Sequence, residues 1–383
     1  VYFVQSTGAL QQGREPDMAL HFDLTVPLAR YVAQHERELA FPFRRYQIQR
    51  SYRGERPQKG RMREFYQCDI DVIGKDKLDP SYDAELPAMI VQIFKELGID
   101  DFTIHFSNRK ILLGLLESWG FGEAEKQTLV LREVDKLDKI GADKVRGAII
   151  ALGLEAEYAD KLLGLLSLKG SNEEMLTALR EMGIEYPTFQ EGMFELTKMV
   201  ESLRALDVDE KYTRINLAIA RGLDYYTGTV YETLLDKHPE IGSICSGGRY
   251  EDLAGLYTRS KLPGVGLSIG ASRLYDQLSS LGLLPEVPHS TQVLITQMDG
   301  ALYNDYLALA TDLRAAGLTV ENYLEPAKLD KQLKYANKTG IPIAILMGSD
   351  EKEKGTVLVK ELFGKKQTEV KSEDLPAFLK DLV

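Results

Sequence analysis

Arg50-Ser-Tyr-Arg53-Gly-Glu55-Arg56-Pro-Gln-Lys59-Gly-Arg61-Met-Arg63-Glu-Phe-Tyr-Gln67-Cys-Asp69-Ile-Asp71 is a dense cationic loop that runs straight into a strand. From Arg44 to Arg63 there are eight Lys/Arg (44, 45, 50, 53, 56, 59, 61, 63) against one acid, Glu55. The whole chain carries a formal charge of −11, so this is a local positive site on an acidic protein. Such a site suits phosphate groups. In the strand that follows, Gln67, Asp69 and Asp71 alternate with Tyr66, Cys68, Ile70 and Val72. A period of two puts the polar set on one face and the apolar set on the other. Phosphate grip and polar pocket are therefore expected side by side.

A chain of 383 residues implies two or three domains with a substantial core. The negative charge argues against a general nucleic-acid coat or an anionic-membrane binder, but leaves room for a nucleic acid held at one patch. The two cysteines, Cys68 and Cys245, are far apart and form no CxxC, which disfavours a disulfide framework or a zinc site and fits a reducing cytosol. No apolar run approaches membrane-spanning length. Val1-Tyr-Phe-Val reads as the middle of a strand, so a preceding N-terminal piece is expected.

Residues 1 to about 110 mix strands with a few helices. A helix is predicted from Asp23 to Ala33, capped by Asp23 or Thr25, with Pro27 in its first turn. Tyr82 to Leu97 has the spacing of an amphipathic helix, and Phe102 to Phe106 reads as a strand. Residues 111–206 are rich in Leu, Glu, Lys and Ala and read as a mainly helical insertion, punctuated at Gly141, Gly153, Gly170 and Gly183. Strand signals return over 207–284, at 214–220, 229–235 and 265–269, followed by a helix from Ala271 to Leu281. Pro285 to Ser290 reads as a linker. From 285 to 383, strands at 293, 319, 343 and 356 alternate with helices, which predicts a small α/β domain with a largely parallel sheet.

Each motif also has a plainer reading. The cationic loop can be a solvated hairpin tip, and the polar strand face can be an outer face exposed to water. Asp23 and Thr25 can be no more than a helix cap. Arg221, Tyr225 and Tyr226 can be ordinary sheet residues. Gly264-Val-Gly-Leu-Ser-Ile-Gly270 fails the GxGxxG fingerprint at Ile269, and no GxxxxGK[ST] loop is present. The histidines, His105 among them, lack metal-ligand spacing.

Together these segments resemble the histidyl-tRNA synthetase family of the class II aminoacyl-tRNA synthetases. The loop Tyr52–Gln67 resembles motif 2, Arg221-Gly-Leu-Asp-Tyr-Tyr-Thr-Gly-Thr-Val-Tyr-Glu232 resembles the histidine-specific signature, and Gly266–Arg273 resembles motif 3. The resemblance implies an α+β catalytic domain with an antiparallel sheet, flanking helices and a helical insertion, and an α/β C-terminal domain that binds the anticodon. It implies ATP-dependent ligation of L-histidine to tRNA-His through a histidyl-adenylate, with Mg²⁺, in a cytoplasmic homodimer. Arg53, Arg221 and Arg273 become the catalytic arginines: Arg53 on the α-phosphate and the substrate carboxylate, Arg221 on the opposite side, Arg273 at the γ-phosphate. Glu55 and Arg61 lie near the nucleotide. Asp23, Thr25 and Gln67 are assigned to the histidine ammonium, and Asp71 and Tyr226 to the ring nitrogens, with Tyr225 as a wall. A site that hydrogen-bonds both nitrogens of an imidazole rejects apolar side chains strongly. Tyr323, Lys328, Lys331 and Lys334 are candidates for anticodon contact.

The chain departs from the family pattern at His21, where an Arg is usual, and at Ser272, where an acid is usual. Motif 1 is expected to precede Val1. The synthetase-like regulatory subunit of ATP phosphoribosyltransferase shares the general pattern. It typically lacks the C-terminal domain and the full arginine set, both of which stand here. No kinase-like motif supports a regulatory kinase.

Overall fold

The cationic segment forms the end of a β-hairpin. The computed structural model describes residues 1–56, 60–219, 225–284, 290–364 and 366–382, with only the backbone of Asp138. Strand Phe43–Tyr52 pairs antiparallel with Glu64–Ile73, from Phe43↔Ile73 to Tyr52↔Glu64. Beyond the last rung the Arg53 N–H still reaches Arg63 O at 2.9 Å. This hairpin forms one side of a seven-stranded sheet. Its order is Phe43–Tyr52, Glu64–Ile73, Gly264–Ile269, Cys245–Tyr250, Thr229–Leu235, Phe102–Asn108, Thr213–Ile215. Every neighbouring pair is antiparallel except the last, which is parallel. The strand predicted at 214–220 is limited to Thr213–Ile215, and Ala220 lies outside the described residues. The Asn216 side chain turns back to accept from the Ala218 N–H, at the close of this short strand.

Helix Tyr82–Glu96 packs behind the sheet, burying Leu86, Ile90 and Phe94. Pro87 lies inside it and has no N–H to give to the carbonyl one turn back. That carbonyl, Asp83 O, accepts from the Tyr231 hydroxyl at 2.7 Å. A strand tyrosine thus satisfies the group the proline leaves over.

The helices between Arg109 and Ala205 end in short turns, with Gly141, Gly153 and Gly183 at positive φ. They share a core with the sheet: Leu115, Leu116, Phe189 and Leu196 belong to the same buried cluster as Phe94, Phe102 and Phe106. Helix Asn172–Glu181 starts with a full capping box from Ser171 and Glu174.

Residues 284–383 form a separate unit. Its five-stranded sheet runs Val320–Asn322, Val293–Ile295, Ile343–Leu346, Thr356–Glu361, Lys366–Lys371. The first two pairings are parallel and the last two antiparallel, so the sheet is mixed rather than largely parallel. The difference comes from the terminal hairpin. Lys366–Lys371 is mostly polar and exposed, with Val370 its one buried residue, and gives no apolar signal. The positions 285–289 of the expected linker lie outside the described residues. No described helix is long and apolar enough to cross a membrane.

Candidate active site

The alternating strand Glu64–Ile73 reverses the usual burial. Gln67, Asp69 and Asp71 are buried, whereas Tyr66 is exposed and Cys68 and Ile70 are half-buried. The polar face is therefore an interior wall, and the outer-face reading is excluded. Burying such groups without partners is expensive, so something must answer them.

A cavity of about 450 Å³ opens above this face. Asp23, Thr25, Arg53, Glu55, Arg61, Gln67, Tyr225, Tyr226 and Arg273 all line it, together with Phe65, Asp69, Tyr231, Glu232, Cys245 and Ser268. Residues separated by up to 250 positions in the chain are thus brought together. Arg221 lies outside the described residues, as does Lys59.

The cations of the hairpin divide into two groups. Arg44 pairs with Glu85 and lies 5.2 Å from the Tyr82 ring, and Arg50 pairs with Glu64 at 3.2 Å. These are structural contacts. Arg53 and Arg61 instead turn to the cavity. Arg53 sits between two rings, 4.7 Å from Phe22 and 5.0 Å from Phe65, and its Nε donates to Phe22 O at 3.2 Å. Two aromatic faces hold a guanidinium plane in place without consuming its charge. Opposite, Arg273 donates to Ile241 O from helix Ala271–Ser280.

The two segments that resemble motifs 2 and 3 are physically coupled. Gly60 has φ +71°, which favours glycine, and it lies against the Gln277 side chain, whose Nε2 would stand 2.2 Å from an added Cβ and would have to turn aside. Ser272 Oγ accepts from the Tyr66 N–H at 2.8 Å. Tyr66 lies just past the end of pairing with Gly264–Ile269, and a serine answers that spare donor where an acid, the usual residue, would bring a charge. His21 contributes its backbone carbonyl to Tyr52 N at 2.7 Å, and its side chain is exposed.

Asp23 settles the capping question. Its Oδ1 accepts from Val26 N at 3.0 Å, while helix Thr25–His35 starts beside it. The residue is both a cap and a buried member of the cavity wall.

Asp71 is not among the cavity-lining residues. It lies one layer deeper, with Tyr250 Oη donating to Oδ1 at 3.2 Å and the Arg45 guanidinium 3.1 Å from Oδ2. Arg45 also donates to Leu24 O at 3.0 Å, so it ties the Asp23–Thr25 turn to the sheet. The Asp71 carboxylate, expected against the imidazole, is met here by a phenol and a guanidinium. Burial pushes it up to about 7, against the Arg45 charge. Asp69, equally buried, is the carboxylate of this pair that borders the cavity. Burial pushes it up to about 6, while a Ser268 hydrogen bond and Arg45 work the other way.

Tyr225 and Tyr226 meet edge to face at 4.8 Å, and Tyr225 stands against Tyr250 at 6.1 Å. A Cβ on Gly248 would come within 2.8 Å of the Tyr226 ring, so this glycine makes room for it. Arg109 donates to Tyr226 O at 2.8 Å. Beneath lies a buried ion pair, Arg249 to Asp83 at 2.7 Å, joined by Thr229 at 2.6 Å. Cys245 is buried and its thiol is pushed well up by desolvation, which keeps it an unreactive wall residue.

Residues 8–274 match the family model described as histidyl-tRNA synthetase, and residues 292–382 match one described as an anticodon binding domain. The chain belongs to the histidyl-tRNA synthetase family. A histidine–tRNA ligase of Stenotrophomonas maltophilia is 52% identical across 99% of this chain and 84% of its own length. One from Xanthomonas oryzae is 50% identical across 99% and 84%. Among solved structures, a Nostoc histidyl-tRNA synthetase superposes with a TM-score of 0.82 at 41% identity, covering 95% of this chain and 84% of that one. A Bacillus halodurans protein described as an ATP phosphoribosyltransferase regulatory subunit/histidyl-tRNA synthetase has a TM-score of 0.65 at 23% identity, over 82% of this chain and 77% of that one. That likeness shows the fold alone.

Asp69 was read in the polar strand face but given no role, and Ser268 and Phe65, which line this synthetase-family cavity, and Phe22 and Arg109, which brace Arg53 and Tyr226, were given none either. Asp69 and Ser268 stood inside quoted motifs, and their shared alternation was the available signal. Arg109 and Phe22 carried none.

Proposed function

We propose that the chain ligates L-histidine to tRNA-His, using ATP. In the first step the histidine carboxylate attacks the α-phosphorus, an O–P bond forms, and pyrophosphate leaves with its bridging oxygen. In the second, a ribose hydroxyl of the terminal adenosine of the tRNA attacks the acyl carbon and AMP leaves. The first nucleophile is already ionised, so no general base is needed. The requirement is alignment and positive charge around phosphorus.

The observation that carries this reading is the joint lining of one cavity by Arg53, Arg273, Asp23, Gln67 and both tyrosines of the histidine signature. Arg53 is assigned to the α-phosphate and the substrate carboxylate, Arg273 to the γ-phosphate end, and Arg221 to the opposite side of the reacting centre. Glu55 and Arg61 border the nucleotide. Asp23, Thr25 and Gln67 are assigned to the ammonium, and Asp71 and Tyr226 to the ring nitrogens, with Tyr225 as a wall. Among the described residues no cluster of three acidic, histidine or cysteine side chains is suited to a metal. Mg²⁺ is assigned as a companion of ATP, and Glu55 or Glu232, the carboxylates that border the cavity, would help hold it. When bound it supplies charge neutralisation to the phosphates.

The C-terminal unit is assigned to the anticodon. There Tyr323 meets Tyr335 edge to face at 5.6 Å, which offers a ring to an unstacked base. Lys328 and Lys331 are the candidate phosphate contacts, whereas Lys334 is engaged by Asp330 at 2.8 Å. A homodimer is supported by the apolar back of the hairpin, where Tyr46 is 80% and Ile48 62% exposed beside Tyr66. The cytoplasm suits a chain of this class.

The test is ATP–pyrophosphate exchange with each proteinogenic amino acid in turn. Exchange driven by histidine alone is expected. Tight histidine binding without exchange would move the chain to the histidine-sensing class.

A further inference from the structure

The hydroxyl of Ser268 organises two neighbours on the adjoining strand. It accepts from Gln67 Nε2 at 2.8 Å and stands directly opposite Asp69 across the strand pair. Having accepted one proton, a hydroxyl has one to give, and a carboxylate is the stronger taker. Gln67 therefore turns its nitrogen to Ser268 and its oxygen away. Gln67 Oε1 and Asp69 Oδ1 are left as buried acceptors with no donor, and both residues line the cavity. Asp69 is 2% exposed and Gln67 8%, so bulk water does not reach these atoms freely. Asp23 is a third buried acceptor on the same cavity. An ammonium group has three N–H donors, and an orphaned buried acceptor is a strong demand for one.

We propose that Asp69, oriented through Ser268, shares the ammonium group of the amino-acid substrate with Gln67 and Asp23, and so acts as a specificity-determining residue. This rests on the histidine-ligase reading above. Asp71, two residues on, also leaves Oδ2 without a hydrogen-bond donor, but it does not line the cavity and lies against Arg45. Ser268 is a positioning residue: it fixes which end of the Gln67 amide faces the ligand.

The experiment measures inhibition of histidine-dependent exchange in the full chain by L-histidinol and by 3-(imidazol-4-yl)propionate, together with KM for histidine and for ATP. The first inhibitor keeps the ammonium and the ring, and the second lacks the ammonium. In Asp69→Asn, KM for histidine and the histidinol constant are expected to rise about tenfold to a hundredfold, the scale of a charge-assisted hydrogen bond. The propionate constant and KM for ATP should hold within about twofold. Equal weakening of both inhibitors, or no weakening, overturns the proposal. Should Asp69→Asn fail to fold, Ser268→Ala carries the same test, with a smaller loss in the same histidinol-selective pattern. A folded parent chain that shows no histidine-dependent exchange refutes the ligase reading instead.

Discussion

Asp69→Asn is expected to make the folded chain more stable, and by an amount that depends on pH. Burial lifts the Asp69 carboxyl from its ordinary 3.8 to about 6. Each tenfold change in proton affinity is worth about 1.4 kcal/mol, so keeping this group ionised in the fold at pH 8 costs about 3 kcal/mol. The sign follows from proton counting. Between pH 3.8 and about 6 the folded chain binds more protons here than the unfolded one. Stability from this group therefore falls as pH rises through that window and is level above it. Asparagine keeps the shape and can accept from Ser268, but carries no charge to desolvate. The gain should be about 3 kcal/mol at pH 8, about half of that at pH 5 and close to zero at pH 4. In a unit of this size that is about 4–6 °C in Tm at pH 8. Trp119 is the single tryptophan of the chain and stacks on Tyr158 inside the first unit, so its fluorescence reports that unit alone. Asp71 is raised by burial and partly by the Asp69 charge, so removing that charge eases Asp71 as well and acts in the same direction at pH 8. A loss of stability at pH 8, or a gain that does not change between pH 8 and pH 4, would refute the account.

Three further outcomes are expected. Arg53→Lys should lower kcat/KM for histidine-dependent exchange about a hundredfold with Tm nearly unchanged, because an ammonium cannot lie as a plane between Phe22 and Phe65; a loss under threefold would remove Arg53 from the reacting centre. Arg249→Met should cost about 3–5 kcal/mol in urea unfolding followed at Trp119, since it strands the Asp83 carboxylate in the core, and adding Asp83→Asn should recover part of that; a cost under 1 kcal/mol would contradict the burial of the pair. Arg221→Ala should abolish exchange while the histidine dissociation constant stays within about threefold, measured by calorimetry; undiminished exchange would withdraw its assigned role.

Alternation identified a face of the strand but not a depth along it. Gln67, Asp69 and Asp71 were legible as one set because side chains repeat every second residue. What separates Asp69 from Asp71 is a floor built by Tyr250, about 180 positions away, and by Arg45 on the partner strand. No local pattern carries that information. The same limit applies to the cations. Their number was visible, but which of them remain available was decided by Glu85, Glu64 and Asp71, acids brought in by the fold. The capping at Asp23 and the amphipathic helix after Ser81 were legible because their causes lie within a turn of the residue concerned. The Lys366–Lys371 strand was not, because its pairing with Thr356–Glu361 rests on backbone bonds with few apolar side chains. A site of this kind is defined by what remains after the fold has used up its own charges. On that principle the unanswered acceptors at Gln67 and Asp69 mark the ligand more directly than the count of arginines does, because a cation in water needs no partner, whereas a dry carboxylate oxygen requires one.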